Sequence, residues 1–199
     1  LTALEYDLAV DHGAYVEGAD SIISKYMHYG NPYVIPNITG LVRMVTTNHN
    51  HTTAWRGYGI PQAMFAGESH IEDVARALHM DSLAFRRKNM MPVGYVDGFS
   101  KNENYSDSLN QCIEKGMEYI GYERKQAEYA KESGPVRHGV GMAIFWYNTA
   151  VWPISLESSS CRMVLNQDGS VQLQMGETEI GQGADTAFAQ MAAETLGIP

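Results

Sequence analysis

The sequence has 199 residues, of which 44% are hydrophobic and 19% charged, a composition typical of a globular protein with a core and not of a disordered tail. Its formal net charge of −9 disfavours a nucleic-acid partner, because nucleic acids bind basic surfaces. No apolar run approaches the roughly 20 residues of a transmembrane helix, so we expect no membrane partner and a cytoplasmic location.

The first part of the chain alternates predicted strands with helices. Apolar residues at every second position predict a strand at Leu4, Tyr6, Leu8 and Val10, which ends at a turn through Asp11-His12-Gly13. The further predicted elements are, in order, a short helix at 20–27, a strand at 38–47, a helix from Pro61 to His79 and a helix at 82–89 capped by Asp81.

In the second part of the chain, the predicted secondary structure changes at Ser133-Gly134-Pro135. Before it, apolar residues at helical spacing predict a helix whose charged continuation reaches Glu132. After it come a β-rich segment at 136–148, a hairpin at 159–176 and a helix at 184–196. The sequence therefore predicts an α+β fold of mixed helix and sheet, with one domain at residues 1–133 and the start of another at 134–199.

Both ends of the sequence interrupt a pattern, and we expect a fragment of a longer protein. Its two cysteines, Cys112 and Cys161, lie far apart without CxxC spacing, which disfavours a disulfide framework or a thiolate metal cluster. We expect both to be small buried hydrophobic residues in a reducing compartment.

The segment Ala54-Trp55-Arg56-Gly57-Tyr58-Gly59-Ile60 combines two aromatic rings, a permanent cation and two glycines just before a helix. A guanidinium supplies fixed positive charge where negative charge develops, and Trp55 and Tyr58 offer faces to a flat ligand. The alternative is a structural turn, with Arg56 in a surface salt bridge and the rings in the core.

The segment Gly176-Glu177-Thr178-Glu179-Ile180-Gly181-Gln182-Gly183 also leads into a helix. Gly181 and Gly183 permit unusual dihedral angles, successive N–H groups form an anion nest, and Gln182 offers an amide donor and acceptor. The alternative is an ordinary strand–turn–helix connection. The pattern is neither a dinucleotide fingerprint nor a P-loop.

Other polar residues favour ordinary roles. His49 and His51 are two residues apart without a third ligand type nearby, so we interpret them as part of a solvated loop. We expect a charged helix face at Glu68, Glu72 and Asp73. We interpret Glu177 and Glu179 as structural, because their charges would oppose an anion in the nest.

Together these segments resemble the molybdopterin-binding large subunit of the xanthine dehydrogenase/aldehyde oxidase family of molybdenum hydroxylases. Residues 53–62 are similar to the family's TAFRGFGGPQ loop, and residues 168–183 to its DGSV…GGTEMGQG segment. Ile35-Pro36-Asn37 matches an IPN element and Arg86-Arg87-Lys88-Asn89 an RRKN element. The resemblance implies parts of two molybdopterin-binding domains.

This resemblance implies a role for each motif residue. Arg56 is the catalytic electrostatic residue on the substrate side of the molybdenum site, and Trp55 and Tyr58 bind substrate in place of two loop phenylalanines. Gln182 binds the pterin cofactor together with its neighbours Gly181 and Gly183. No residue of this chain is expected to ligate the metal.

The resemblance also implies an oxidoreductase that hydroxylates an N-heterocycle, as in purine catabolism, with water as the oxygen source. Its cofactor is molybdenum–molybdopterin, in the cytosine dinucleotide form for a bacterial enzyme. Electrons leave through iron–sulfur clusters and FAD on other domains or subunits of an oligomer. The alternatives are an aldehyde-oxidising relative and a non-catalytic fragment that binds no cofactor when isolated.

Three departures bear on the substrate. Xanthine-oxidising members carry a further substrate-anchoring arginine, but the matching segment here offers only Lys25, which lacks a planar fork. Gly57 follows Arg56, where carbon monoxide dehydrogenases have a cysteine. Trp152 is the candidate for a second aromatic wall.

We expect the family's glutamate base to lie outside the chain, and the chain alone to be inactive.

Overall fold

The computed structural model describes residues 1–15, 32–53, 55–98, 101, 103–147 and 158–199. The chain forms two compact units, Leu1–Tyr147 and Asn148–Pro199. The predicted helix at 20–27, with Lys25, and the predicted aromatic wall at Trp152 lie outside the described residues. Each unit combines helix with a two-stranded sheet, which confirms the α+β fold class.

The sheet of the first unit pairs β1 (Ala3–Asp11) with β2 (Asn37–Val45) in parallel. Alternate residues of β1 are half-buried, as the alternation of its sequence predicts. The register sets Tyr6 opposite Gly40, where an added β-carbon would lie 2.1 Å from the Tyr6 ring. Gly40 therefore leaves the space that this ring fills.

After β2, the described residues of the first unit form four helices, and the ends of these helices agree with local signals in the sequence. The predicted cap of the second is confirmed, because the Asp81 carboxylate accepts the N–H of Ala84 at 2.8 Å. The third and fourth meet at Gly121, whose φ of 64° interrupts the predicted continuous helix. The helices are α1 (Ile60–Ala77), α2 (Ser82–Asn89), α3 (Ser108–Ile120) and α4 (Tyr122–Tyr129).

The core of the first unit lies between these helices and the segments that cross them. Its buried apolar residues come from α1, α2, α3 and two non-helical segments, namely Tyr33, Ile71, Ala75, Leu83, Phe85, Ile113 and Ile144. Every helix in the described part of the chain is too short or too polar to span a bilayer.

Glu68 lies in this core, so the prediction that it belongs to an exposed charged helix face is wrong. Its residue exposure is 6%, and that of Arg86 is 2%. Arg86 Nε donates to Glu68 Oε2 at 2.9 Å, which compensates both buried charges. The pair ties α1 to α2.

The Glu68 carboxylate also accepts two further hydrogen bonds. The Tyr33 hydroxyl donates to Glu68 Oε1 at 2.5 Å, and the backbone N–H of Ile144 donates to Oε2 at 2.9 Å. Burial raises the pKa of the Tyr33 hydroxyl, and the hydrogen bond to the Glu68 carboxylate raises it further. This network joins four separate segments of the first unit.

Two predictions outside the site are wrong. The described residues of the predicted β-rich segment, 136–147, form no strand, and within them the Ile144 N–H donates to the Glu68 side chain and not to a neighbouring strand. Cys112 and Cys161 are both exposed, so the prediction that they are small buried hydrophobic residues is wrong.

Over residues 158–199, which the structure describes, the second unit contains the predicted hairpin and the predicted helix. Strands β3 (Cys161–Leu165) and β4 (Val171–Met175) pair antiparallel, with Leu165 opposite Val171 beside the turn. The turn contains Gly169 at a φ of 84°. Helix α5 (Ala184–Leu196) ends at Gly197, whose φ of 67° is left-handed.

Candidate functional site

The loop that carries Arg56 has an unusual backbone. Gly57, Tyr58 and Gly59 have consecutive positive φ angles of 96°, 45° and 92°. Tyr58 is not a glycine, so its left-handed conformation is strained, a feature that concentrates at functional sites. A hydrogen bond of 2.9 Å from the Ile60 N–H to the Gly57 carbonyl closes the turn at the start of α1.

The side chains of this loop face outward. Trp55 is 91% exposed, Arg56 is also exposed, and Tyr58 is half-buried. The alternative in which both rings belong to the core is therefore wrong for Trp55. The loop presents a guanidinium and an indole at the surface of the first unit.

Helix α1 adds to the positive potential near Arg56. Its N-cap is Gly59, which offers no side-chain oxygen, and its first turn contains no acidic residue. The partial positive charge of the helix N-terminus is therefore not offset by a carboxylate of that turn. This end of α1 and the adjoining guanidinium can both attract negative charge.

The segment before Arg56 is anchored to the end of β1. The carboxylate of Asp11 accepts hydrogen bonds from the Thr47 hydroxyl at 2.7 Å and from the Gly13 N–H at 2.8 Å, and lies 2.5 Å from His49 Nδ1. These contacts, led by the Thr47 hydroxyl, lower the pKa of Asp11 to about 2. His49 is therefore a loop anchor, and the described ranges hold no cluster of three metal-ligating side chains.

The second loop holds Gln182 between two left-handed glycines. Gly181 has a φ of 96° and Gly183 a φ of 87°. Gln182 Oε1 accepts the N–H of Ile180 at 2.7 Å, and its Nε2 donates to the carbonyl of Thr178 at 2.8 Å. The exposed side chain of Gln182 thus bonds back onto the segment that precedes it.

The anion nest of this loop is filled by a residue of the chain itself. The Glu179 carboxylate accepts the N–H of Gly181 at 2.5 Å and those of Gly183 and Asp185 at 3.2 Å. These bonds, with that of Gly181 strongest, lower the pKa of Glu179. Glu179 is therefore the bound anion of the nest, where the sequence suggested a charge that opposes one.

The Gln182 loop fits a polar heterocycle. A β-carbon added at Gly183 would meet no atom within 4 Å, so space beside the backbone is open. The amide of Gln182 is solvent-accessible and carries one donor and one acceptor group, which match the edge of a pterin. The N–H groups of the nest, by contrast, already have an acceptor in Glu179.

The structure groups the predicted site residues by unit. Trp55, Arg56 and Tyr58 share one loop of the unit Leu1–Tyr147. Gly181, Gln182 and Gly183 share one loop of the unit Asn148–Pro199.

A separate cavity of about 350 Å³ lies in the first unit between the start of β1 and α1. It is mostly apolar and is lined, among others, by Leu4, Ile35, Ala63, Val74 and Phe85. None of Trp55, Arg56 and Tyr58 lines it.

Sequence reasoning missed the contacts of two carboxylates, those of Glu68 and Glu179. Glu68 forms an ion pair with Arg86, which lies 18 residues later in the chain, and no local sequence pattern indicates that pairing. Glu179 had a local signal, since it precedes the N-cap Gly183 by four residues and can reach the free N–H groups of α5.

Models of the molybdopterin cofactor-binding domain match this chain twice, at residues 1–90 and at residues 115–199. Xanthine dehydrogenase subunits and aldehyde oxidoreductases match over nearly the whole chain. The xanthine dehydrogenase molybdenum-binding subunit of Escherichia coli O157:H7 is 39% identical over 203 residues, which cover 100% of this chain and 27% of that subunit.

Aldehyde oxidoreductases give similar matches. That of Megalodesulfovibrio gigas is 35% identical over 98% of this chain and 21% of its own length. The crystal structure of the enzyme from Desulfovibrio desulfuricans ATCC 27774 has a TM-score of 0.79 and 33% identity, covering 99% of this chain and 22% of that one. The chain thus spans about a quarter or less of these proteins.

Proposed function

Because the chain belongs to the molybdopterin-binding large subunits of the xanthine dehydrogenase/aldehyde oxidase family, we propose that it forms part of the active site of a molybdenum hydroxylase. The proposed enzyme hydroxylates a carbon of an N-heterocycle with water as the oxygen source. When bound, the cofactor supplies an activated oxygen nucleophile and accepts two electrons. The residues of this chain then bind, orient and stabilise charge.

Arg56 is the proposed electrostatic residue. As oxygen adds to a ring carbon, negative charge builds on the neighbouring heteroatoms, and a guanidinium stabilises that charge at any working pH. The observation that carries this role is the left-handed turn at residues 57–59, which includes the strained Tyr58 and follows the exposed Arg56 at the N-terminus of α1. Trp55 and Tyr58 are the proposed walls for a flat substrate.

Gln182 is the proposed cofactor residue, with Gly181 and Gly183 allowing the cofactor to approach the backbone. Its exposed amide and the open space at Gly183 support this role. In the structure the amide bonds to Thr178 and Ile180. The second N–H of the Gln182 NH₂ group and the second lone pair of its carbonyl oxygen can then bond to the cofactor.

A second candidate is an aldehyde-oxidising enzyme, which the 35% identity to an aldehyde oxidoreductase supports. An aldehyde needs neither two aromatic walls nor a second arginine, and Lys25 is the nearest cation in the segment where xanthine-oxidising members have that arginine. Turnover of a purine and of an aromatic aldehyde, compared by kcat/KM, decides between the two. A preference of at least about tenfold for the aldehyde would replace the N-heterocycle proposal.

The proposed partners follow from the same family. We propose that electrons pass to iron–sulfur clusters and FAD on other domains or subunits of a cytoplasmic oligomer. The cofactor is proposed to be the cytosine dinucleotide form in a bacterial enzyme. A domain boundary near residue 133 stays a prediction.

The test of Arg56 is an Arg56→Gln variant of the intact enzyme. We expect kcat to fall by about 10²–10³, as when one group that stabilises transition-state charge is removed, with molybdenum content unchanged. Arg76→Gln on α1 is the matched control, because Arg76 pairs only locally with Asp73 at the surface; its kcat should stay within about twofold. An Arg56 variant as active as that control contradicts the proposed role.

A further inference from the structure

Several hydrogen bonds of the Gln182 loop join residues that are two to four positions apart. One side chain, Glu179, bonds to the backbone on both sides of Gln182, through the N–H groups of Gly181 and Gly183. The Gln182 side chain bonds in the opposite direction, to Ile180 and Thr178. The backbone that aims Gln182 therefore depends on a single carboxylate.

Physical chemistry makes this carboxylate a strong anchor. Hydrogen bonds from N–H groups to an ionised carboxylate are shorter and stronger than those between neutral groups, and the Gly181 bond measures 2.5 Å. Glu179 also places negative charge at the N-terminus of α5, where the helix dipole favours it. The neighbouring Glu177 has an exposed side chain and makes none of these contacts.

We propose that Glu179 is the positioning residue of the cofactor loop, holding the Gly181 and Gly183 backbone so that the Gln182 amide meets the cofactor in a fixed orientation. This inference rests on the proposed function of Gln182. Because Glu179 fills the nest, the loop recognises a neutral polar edge of the cofactor, and its phosphate groups bind elsewhere.

The alternative is that Glu179 only stabilises α5. The two roles separate in the intact enzyme with the variants Glu179→Gln, Glu177→Gln and Asp185→Asn. Gln in place of Glu179 keeps the size of the side chain but loses the charge and turns an NH₂ group towards N–H donors. Asp185→Asn removes a favourable charge from the first turn of α5 without removing the acceptor of the loop.

The readouts are molybdenum and pterin per subunit, the rate of cofactor loss on dilution, and the thermal midpoint. We expect Glu179→Gln to lose cofactor at least tenfold faster than wild type, and Glu177→Gln and Asp185→Asn to stay within twofold. A Glu179→Gln enzyme that keeps wild-type cofactor content and loss rate overturns the proposal, even if its thermal midpoint falls. A wild-type enzyme without molybdopterin overturns both this inference and the proposed function.

Hydrogen exchange in the wild-type enzyme covers the case in which Glu179→Gln does not fold. The proposal expects the amides of Gly181 and Gly183 to exchange at least tenfold more slowly than in an unstructured peptide, both with and without cofactor. Fast exchange of these amides in the cofactor-loaded enzyme would mean that Glu179 leaves the nest, and overturns the positioning role.

Discussion

At the scale of single residues, Gly57 meets two constraints that only glycine satisfies together. Its φ of 96° lies in the left-handed region, and a β-carbon there would lie 2.8 Å from both Cδ and Cγ of Pro61. We expect Gly57→Ala to lower the free energy of unfolding by at least about 1–2 kcal/mol, through backbone strain and this contact. Urea denaturation followed by circular dichroism measures the change.

Gly67 provides the matched control for that substitution. It lies inside α1, an added β-carbon would meet no atom within 4 Å, and its φ is not positive. Gly67→Ala should therefore raise the free energy of unfolding by about 0.5–1 kcal/mol, because alanine favours the helix. A Gly57→Ala variant that is as stable as Gly67→Ala would refute the constraint at Gly57.

At the scale of elements, the pair Glu68–Arg86 holds α1, which begins just after the Arg56 loop, against α2. Glu68→Gln leaves the buried guanidinium with only the half-exposed carboxylate of Glu72, 3.0 Å from its NH1. We expect this substitution to lower the free energy of unfolding by about 3–5 kcal/mol. The measurement is denaturant unfolding at neutral pH.

Two further variants test that interpretation. Asp73→Asn removes an exposed charge from the same helix and should change stability by less than about 0.5 kcal/mol. The double variant Glu68→Leu/Arg86→Met removes both buried charges and should be more stable than Glu68→Gln. Equal losses for Glu68→Gln and Asp73→Asn would show that the buried pair contributes no special stability.

The elements that the sequence predicted correctly are those with local causes. Apolar periodicity and the glycines at both ends predicted helix α5 at 184–196 correctly, and Asp81 was correctly predicted to cap α2. Both signals act within a few residues of the chain. Burial of Glu68 depends on Arg86, 18 positions later, and the segment 136–147 depends on where the Ile144 N–H finds an acceptor. Such pairings are set by packing, which periodicity does not encode.

Of the candidate site, the sequence predicted the two loops but not the directions of their side chains. Glycines and residue types marked Arg56 and Gln182, because both loops need left-handed backbone that glycine provides cheaply. The direction of the side chains was not predictable. Trp55 faces solvent and Glu179 turns into its own nest, and both outcomes depend on the three-dimensional arrangement of nearby N–H groups and apolar surfaces.

At the scale of the whole molecule, large apolar side chains are exposed in both units. They include Phe65 of the first unit, which is 78% exposed, and Leu165 of the second unit, which is 74% exposed. Exposed apolar surface can mark a site of contact with other parts of a protein. Since the chain spans 27% of the length of a 39%-identical relative, we expect these faces to be covered by the rest of a subunit. The 199-residue chain by itself should therefore self-associate, which sedimentation velocity measures.

Since we expect the family's glutamate base to lie outside this chain, the isolated chain should not turn over substrate, whereas the full-length enzyme should. Molybdenum and pterin content of the chain, produced in a host that makes the cofactor, is the first measurement, with Gln182→Ala beside it. Metal that binds stoichiometrically and falls in the variant means that the Gln182 loop retains cofactor without the remaining protein. Hydroxylation of an N-heterocycle or aldehyde by the isolated chain contradicts the prediction, because these 199 residues would then contain a complete site.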